Sequence, residues 1–244
     1  MEIVFFAVAG FLAQMIDGAL GMAYGVTCTS LLLAFGYPPA VASASVHMAE
    51  VVTSGVSGHF HWRLGNVEPI LFRNLVWPGM IGGAIGAYVL TSLPGEALKP
   101  WIAVYLAFMG VRILIKAWNG RAPAVASPHR VEVLGFAGGF LDAVGGGGWG
   151  PIVTSTLVGR GHEPRMAIGS VNRAEFFVTL VQSATFIVAL GTVTWRVVLG
   201  LCLGGALAAP IAARVAKHVK AEHLMVAVGV LIVLLSLRTF VTSF

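Results

Sequence analysis

Asp17-Gly-Ala-Leu-Gly-Met-Ala-Tyr-Gly25 returns 125 residues later as Asp142-Ala-Val-Gly-Gly-Gly-Gly-Trp-Gly150, and the rest of the fold reads outward from that repeat. Continued without a gap, the register brings Thr29 onto Thr154, Ser30 onto Ser155, Gly36 onto Gly161, Pro39 onto Pro164, Ser45 onto Ser170, Ala49 onto Ala174 and Glu50 onto Glu175. From Asp17 to Glu50, 13 of 34 positions are identical, more than glycine and alanine abundance supplies, and both carboxylates match. Past Glu50 the likeness fades and returns one residue out of step, with Leu64-Gly65 on Leu190-Gly191 and Arg112 on Arg238. Self-similarity of this length identifies two related halves, expected over 1–118 and 131–244. Segment 119–130, which holds Pro123 and Pro128, is expected to link them.

The chain has 244 residues, 57% of them hydrophobic and only 10% charged, with a mean hydropathy of +0.89. Soluble domains carry about 25% charged residues, so a soluble globular protein is excluded. No polar stretch is long enough to form an outside domain on a single anchor. A helical crossing with its connection takes about 25 residues, which leaves room for about nine or ten segments in an all-α polytopic membrane protein. The 31 glycines exceed the usual ~7% and suit closely packed or broken membrane helices. Cys28 and Cys202 lie in apolar stretches without metal-ligand spacing and read as small hydrophobes. The net charge of +5 reads as positive-inside bias rather than as affinity for nucleic acid. No basic n-region precedes the first apolar run, so no cleavable signal peptide is expected.

Breaks in hydropathy predict five helical segments in each half: 2–16, 20–34, 40–62, 67–91 and 97–117, then 131–143, 148–159, 164–190, 196–214 and 221–243. The first two of each set are short for a ~30 Å hydrocarbon layer. They are expected either as thin crossings or as a re-entrant hairpin turning at the Asp-Gly stretch. Arg63, Arg73, Arg112, Lys116, Arg121, Arg130, Arg160, Arg165, Arg214, Lys217 and Lys220 fall on one side, Lys99, Arg196 and Arg238 on the other, and Arg173 within a span. That asymmetry predicts a cytoplasmic linker and both termini outside the cytoplasmic membrane. An odd number of crossings per half makes the second half inverted relative to the first, an architecture of secondary transporters with a site near the midplane.

Two repeated features carry the candidate chemistry. The first is the glycine-flanked carboxylate, Asp17 and Asp142. Successive glycines cost about 1 kcal/mol each in a helix, so Gly145–Gly148 reads as unwound backbone, tolerated at membrane depth when buried in protein or lining a wet cavity. Amides of Gly146 and Gly147, and helix starts near Tyr24 and Trp149, would favour an anion; close helix packing is the other reading of the same glycines. The second is a polar stripe at helical spacing, His47, Glu50, Ser54 and Ser57, matched by Asn172, Glu175, Thr179 and Gln182. Ionisable groups at mid-span cost at least ~2.5–3.5 kcal/mol on insertion scales, so the stripes are expected to line a polar path, or to lock two helices by hydrogen bonds. Arg173, opposite Met48 in the repeat, is expected to pair with Glu50 or Glu175 or to hold an anion. His47 is a second positive contact near neutral pH. Thr29, Ser30, Thr154 and Ser155 either coordinate an oxyanion or bond back to the preceding turn. Gln14 has no polar counterpart, and His59-x-His61 beside Arg63 reads as an interfacial helix end. Trp62, Trp77, Trp101, Trp118 and Trp195 read as interfacial anchors. No nucleophile or metal site is found, so an enzyme is not expected, nor a cofactor.

The paired motifs Gln14–Gly25, Pro39–Glu50 and Asp142–Pro151, with Ser-Val-His-x-Ala-Glu answered by Ser-Val-Asn-Arg-Ala-Glu, resemble the sulfite exporter TauE/SafE family over essentially the whole chain. The resemblance implies a transporter exporting sulfite or a related small sulfur-containing anion or organosulfonate. A passive anion channel, or import of sulfate or thiosulfate, uses the same residues. In this reading His47, Asn172, Arg173, Thr29, Ser30, Thr154, Ser155, Gly146 and Gly147 contact substrate. Asp17, Glu50, Asp142 and Glu175 couple protons or supply counter-charge. The partners expected are a small anion and the lipid bilayer.

Overall fold

A computed structural model describes residues 2–20, 22–119, 130–215 and 221–244. Most of the expected linker, with Arg121, and the basic residues Lys217 and Lys220, lie outside the described residues. Every regular element described is helical: α1 (Glu2–Leu20), α2 (Tyr24–Ala34), α3 (Pro39–Arg63), α4 (Pro69–Ser92), α5 (Gly95–Asn119), α6 (Val131–Gly145), a π turn (Gly150–Thr154) running into α7 (Ser155–Gly159), α8 (Pro164–Leu190), α9 (Trp195–Val215) and α10 (Ala221–Val241).

The boundaries follow local chemistry. Proline opens α3, α4 and α8 in the first turn, where its missing N–H costs nothing. Gly36 and Gly161, equivalent in the repeat, follow α2 and α7 at φ 87° and 94°, a conformation in which a Cβ is disfavoured. α1 runs four residues beyond its expected end, through Asp17-Gly18, because the Asp17 carboxylate reaches forward to the start of α2 instead of interrupting its own helix. α7 opens as a π turn, in keeping with Pro151 supplying no N–H there.

Among the described residues four helices are long and apolar enough to cross a membrane: Pro69–Ser92, Gly95–Trp118, Pro164–Leu190 and Glu222–Val241. Only a third of the spanning window is buried in the last three, so apolar faces point outward in a way that suits lipid and not water. Trp62, Trp77, Trp101, Trp118 and Trp195 are all exposed, whereas Trp149 is fully buried. α2 has 11 residues, about 16 Å at 1.5 Å per residue, so it covers only part of the layer's depth.

Helix pairing is itself repeated. α1 packs along α9, and its repeat equivalent α6 packs along α4, both pairs parallel. Gly10 abuts Leu201 and Gly200 abuts Ile3, while Gly135 abuts Leu75 and Gly139 abuts Gly79. These are backbone-to-backbone contacts of the small-residue kind that stabilises membrane helices. The equivalent helices α3 and α8 cross antiparallel: His47 lies against Phe186, Gly55 against Phe176 and Gly58 against Arg173. Where they cross, the interior becomes polar.

Candidate functional site

Each glycine-flanked carboxylate accepts a hydrogen bond from the backbone N–H seven residues ahead. Asp17 accepts from Tyr24 at 3.3 Å, and Asp142 accepts from Trp149 at 2.9 Å. The chain therefore supplies its own anion to the start of each broken helix, a favourable place for negative charge. The Gly146 and Gly147 amides are also engaged, both donating to the Asp142 carbonyl. The two motifs touch: Thr29 donates its hydroxyl proton to the Gly146 carbonyl, Tyr105 donates to the Gly147 carbonyl at 3.1 Å, and a Cβ on Gly147 would collide with the Gly25–Val26 backbone.

The polar stripes face each other across the α3–α8 crossing. At one end Asn172 donates to Ser57 Oγ at 2.8 Å. At the other, His47 and Gln182 both reach Asp142 Oδ2, at 3.0 and 3.1 Å. These are repeat-equivalent pairs, since His47 matches Asn172 and Ser57 matches Gln182. His47 Nδ1 lies 2.7 Å from the Ser43 carbonyl, which only accepts, so Nδ1 carries a proton and Nε2 is turned to Asp142. Thr179 and Ser54 instead donate back to the carbonyls of Glu175 and Glu50.

Between the stripes lies a cleft of about 250 Å³, including its solvent-open part, lined by Asp17, Tyr24, Glu50, Thr53, Ser54, Ser57, Asn172 and Glu175. A second space of about 220 Å³ continues from Asp17, Glu50 and Glu175 along both glycine motifs to Asp142. The lining contains carboxylates, hydroxyls and an amide, and no lysine or arginine. Glu50 is buried, and its Oε2 has no hydrogen-bond partner among the described residues. His47 Nε2 lies 4.0 Å from this oxygen.

Other expected residues lie elsewhere. Arg173 is outside the cavity lining and in ion-pairing contact with neither Glu50 nor Glu175 among the described residues; its guanidinium stacks 5.5 Å from the Trp62 ring and 5.8 Å from Phe177. His47 is wholly enclosed, held between Ser43 and Asp142. The Ser30 and Thr154 hydroxyls are buried without a hydrogen-bond partner among the described residues, outside both cavity linings. Ser155 meets Lys116 and Met22. One ligand atom each from His47, Glu50 and Asp142 fall within 4.8 Å of one another, a spacing a metal ion can use, although Asp142 Oδ2 is already in contact with His47 Nε2 and accepts from Gln182, and its Oδ1 accepts from Trp149. The sequence reading did not single out Tyr24, which lines the cleft and donates its hydroxyl to the Leu201 carbonyl, or Tyr105. Tyr105, Arg112 and Lys116 are spaced seven and four apart, a one-face helical signal that was open to reading.

Apolar helices folded around an internal acidic cavity define a multi-pass membrane protein with a polar path, the class to which transporters belong. The chain belongs to the sulfite exporter TauE/SafE family, whose profile matches residues 6–239. "Probable membrane transporter protein YtnM" of Bacillus subtilis (strain 168) is 45% identical over 251 residues, which covers 99% of this chain and 84% of that protein. No solved structure matches the chain. The protein is thus a membrane transporter of the TauE/SafE type.

Proposed function

We propose that the protein is a secondary transporter, not an enzyme, that exports sulfite or a related small sulfur-containing anion across the cytoplasmic membrane. Substrate and coupling proton share the cavity at the α3–α8 crossing. The observation that carries this reading is the cleft itself, in which Asp17, Glu50 and Glu175 meet without a lysine or arginine in the lining. Ionised carboxylates and an anion repel one another at this range, so anion entry is linked to proton uptake by the carboxylates, and linkage of this kind is reciprocal. Asn172 and the Ser54 and Ser57 hydroxyls offer neutral hydrogen bonds. Asp142, bonded to His47, and Asp17 hold the broken helices in place, and Arg173 braces α8 against α3 through Trp62.

Residues 1–118 and 131–244 act as inverted repeats joined by a cytoplasmic linker, 119–130, with both termini outside. The antiparallel crossing of α3 and α8, and the matched pairs α1–α9 and α6–α4, support it. A membrane potential negative inside favours exit by about 2.3 kcal/mol per 100 mV for each negative charge that no proton accompanies.

The test is counterflow of radiolabelled sulfite in proteoliposomes. Unlabelled sulfite inside should accelerate uptake of label, and flux should saturate. Linear flux indifferent to sulfite on the far side would instead mark a passive channel.

A further inference from the structure

An exporter of anions needs a cationic contact, and the acidic cavity contains no lysine or arginine. Lys116, in the last turn of α5, reaches Met22, a residue of the cavity wall. A membrane lysine near a helix end ordinarily snorkels outward to the interface. Lys116 turns inward: its ammonium lies 3.4 Å from Ser155 Oγ and 3.7 Å from Met22 Sδ, and Met22 is buried. Trp118, two residues on, points the other way and is exposed. No carboxylate lies within 4.0 Å of Lys116 among the described residues, so a half-buried cation is left with a thioether, a weak acceptor, and one neutral hydroxyl at the long distance of 3.4 Å. Arg112, one turn earlier on the same face, is half-buried and likewise without a carboxylate at that distance. Met22 joins this corner to the main site, because it also lines the second cavity beside Asp17 and Glu50.

We infer that Lys116, with Ser155 and supported by Arg112, forms a binding site for a small free oxyanion at the cytoplasmic mouth of the transport path, separated from the acidic cavity by Met22. The inference rests on the anion-export reading and deepens it by naming the positive contact. An anion held here has a charge-assisted bond from Lys116 and a neutral one from Ser155, with the path onward closed by a flexible, apolar side chain. Export then begins at a basic mouth and proceeds through an interior that accepts the anion together with protons.

The experiment is calorimetric titration of sodium sulfite into the purified full-length protein in neutral detergent, alongside Lys116→Gln, Lys116→Arg and, at the opposite end of α5, Lys99→Gln. Loss of one charge-assisted bond corresponds to about tenfold or more in affinity. Lys116→Gln should therefore weaken sulfite binding at least about tenfold, Lys116→Arg should restore it to within about threefold, and Lys99→Gln should leave it unchanged. Wild-type binding that Lys116→Gln leaves intact overturns the site while sparing the transport reading. Absence of sulfite binding by the wild-type protein defeats both. Thermal stabilisation by phosphatidylglycerol that depends on Lys116, with none by sulfite, assigns the corner to a lipid headgroup and overturns the inference. Monodisperse elution and unchanged melting of Lys116→Arg serve as the folding control.

Discussion

Replacing Gly147 by alanine tests whether the two glycine motifs meet as a packed joint. A Cβ at 147 would lie 2.9 Å from the Gly25 Cα and closer still to the Val26 nitrogen and the Gly25 carbonyl carbon. All three are backbone atoms, which no side-chain rotation can move aside. Overpacking of this kind costs about 1–3 kcal/mol, and the backbone at φ 150° adds strain of order 1 kcal/mol for a residue with a Cβ. The sum is about 3 kcal/mol, or a fall of about 6–12 °C in melting midpoint at the 2–4 °C per kcal/mol typical of chains this size. Gly36→Ala is the matched control: its φ is 87° and a Cβ there meets nothing within 4 Å. It should cost only the strain of the left-handed conformation, about 1 kcal/mol, or about 2–4 °C. The assay is thermal unfolding of both purified variants in the same detergent, followed by intrinsic tryptophan fluorescence. Gly147→Ala should also lower flux, because Gly25, displaced by the new methyl, lies against Glu50. Equal shifts for the two variants would refute the joint and leave only the conformational preference of glycine.

Other consequences follow from single contacts. Arg173→Ala should keep sulfite counterflow while lowering stability by about 1 kcal/mol, since its contacts are the Trp62 and Phe177 rings; abolished flux in a well-folded variant would return Arg173 to the substrate path. Thr29→Val removes the hydroxyl that bonds the Gly146 carbonyl and should cost about 1–3 kcal/mol, because a buried acceptor loses its partner; an unchanged melting midpoint would count against that bond. A C-terminal reporter that functions only outside the cytoplasm should be active, and one that functions only inside should be silent; the reverse pattern would invert the proposed orientation.

Much of the fold was legible because membrane helices announce themselves by apolar length and by their breaks. α8 starts and ends where the hydropathy places it; α2 begins at Tyr24, near the helix start the glycine motif suggests but four residues inside the segment 20–34 that hydropathy predicts. The facing stripes were legible too, since helical spacing puts His47, Glu50, Ser54 and Ser57 on one side whatever they meet. Partner choice was not. Nothing in the spacing of Asp142 says that its oxygens take the Trp149 N–H, His47 and Gln182, because those bonds depend on where three helices cross. The same is true of Arg173: a cation among carboxylates in sequence invites an ion pair, yet among the described residues its guanidinium lies over the rings of Trp62 and Phe177 with no carboxylate within 4.0 Å. Lys116 was read as a cytoplasmic flanking charge, because charge bias counts residues and does not see which way a side chain turns.

The account turns on Glu50 and Glu175 meeting in one cavity and carrying the proton that accompanies the anion. Sulfite flux and internal pH should be recorded together in proteoliposomes bearing the wild-type protein, Glu50→Gln, Glu175→Gln and the double variant. Coupled proton movement in the wild type, with proton movement lost and sulfite binding retained in the variants, is the predicted result. Undiminished proton-linked sulfite flux in the double variant would contradict it.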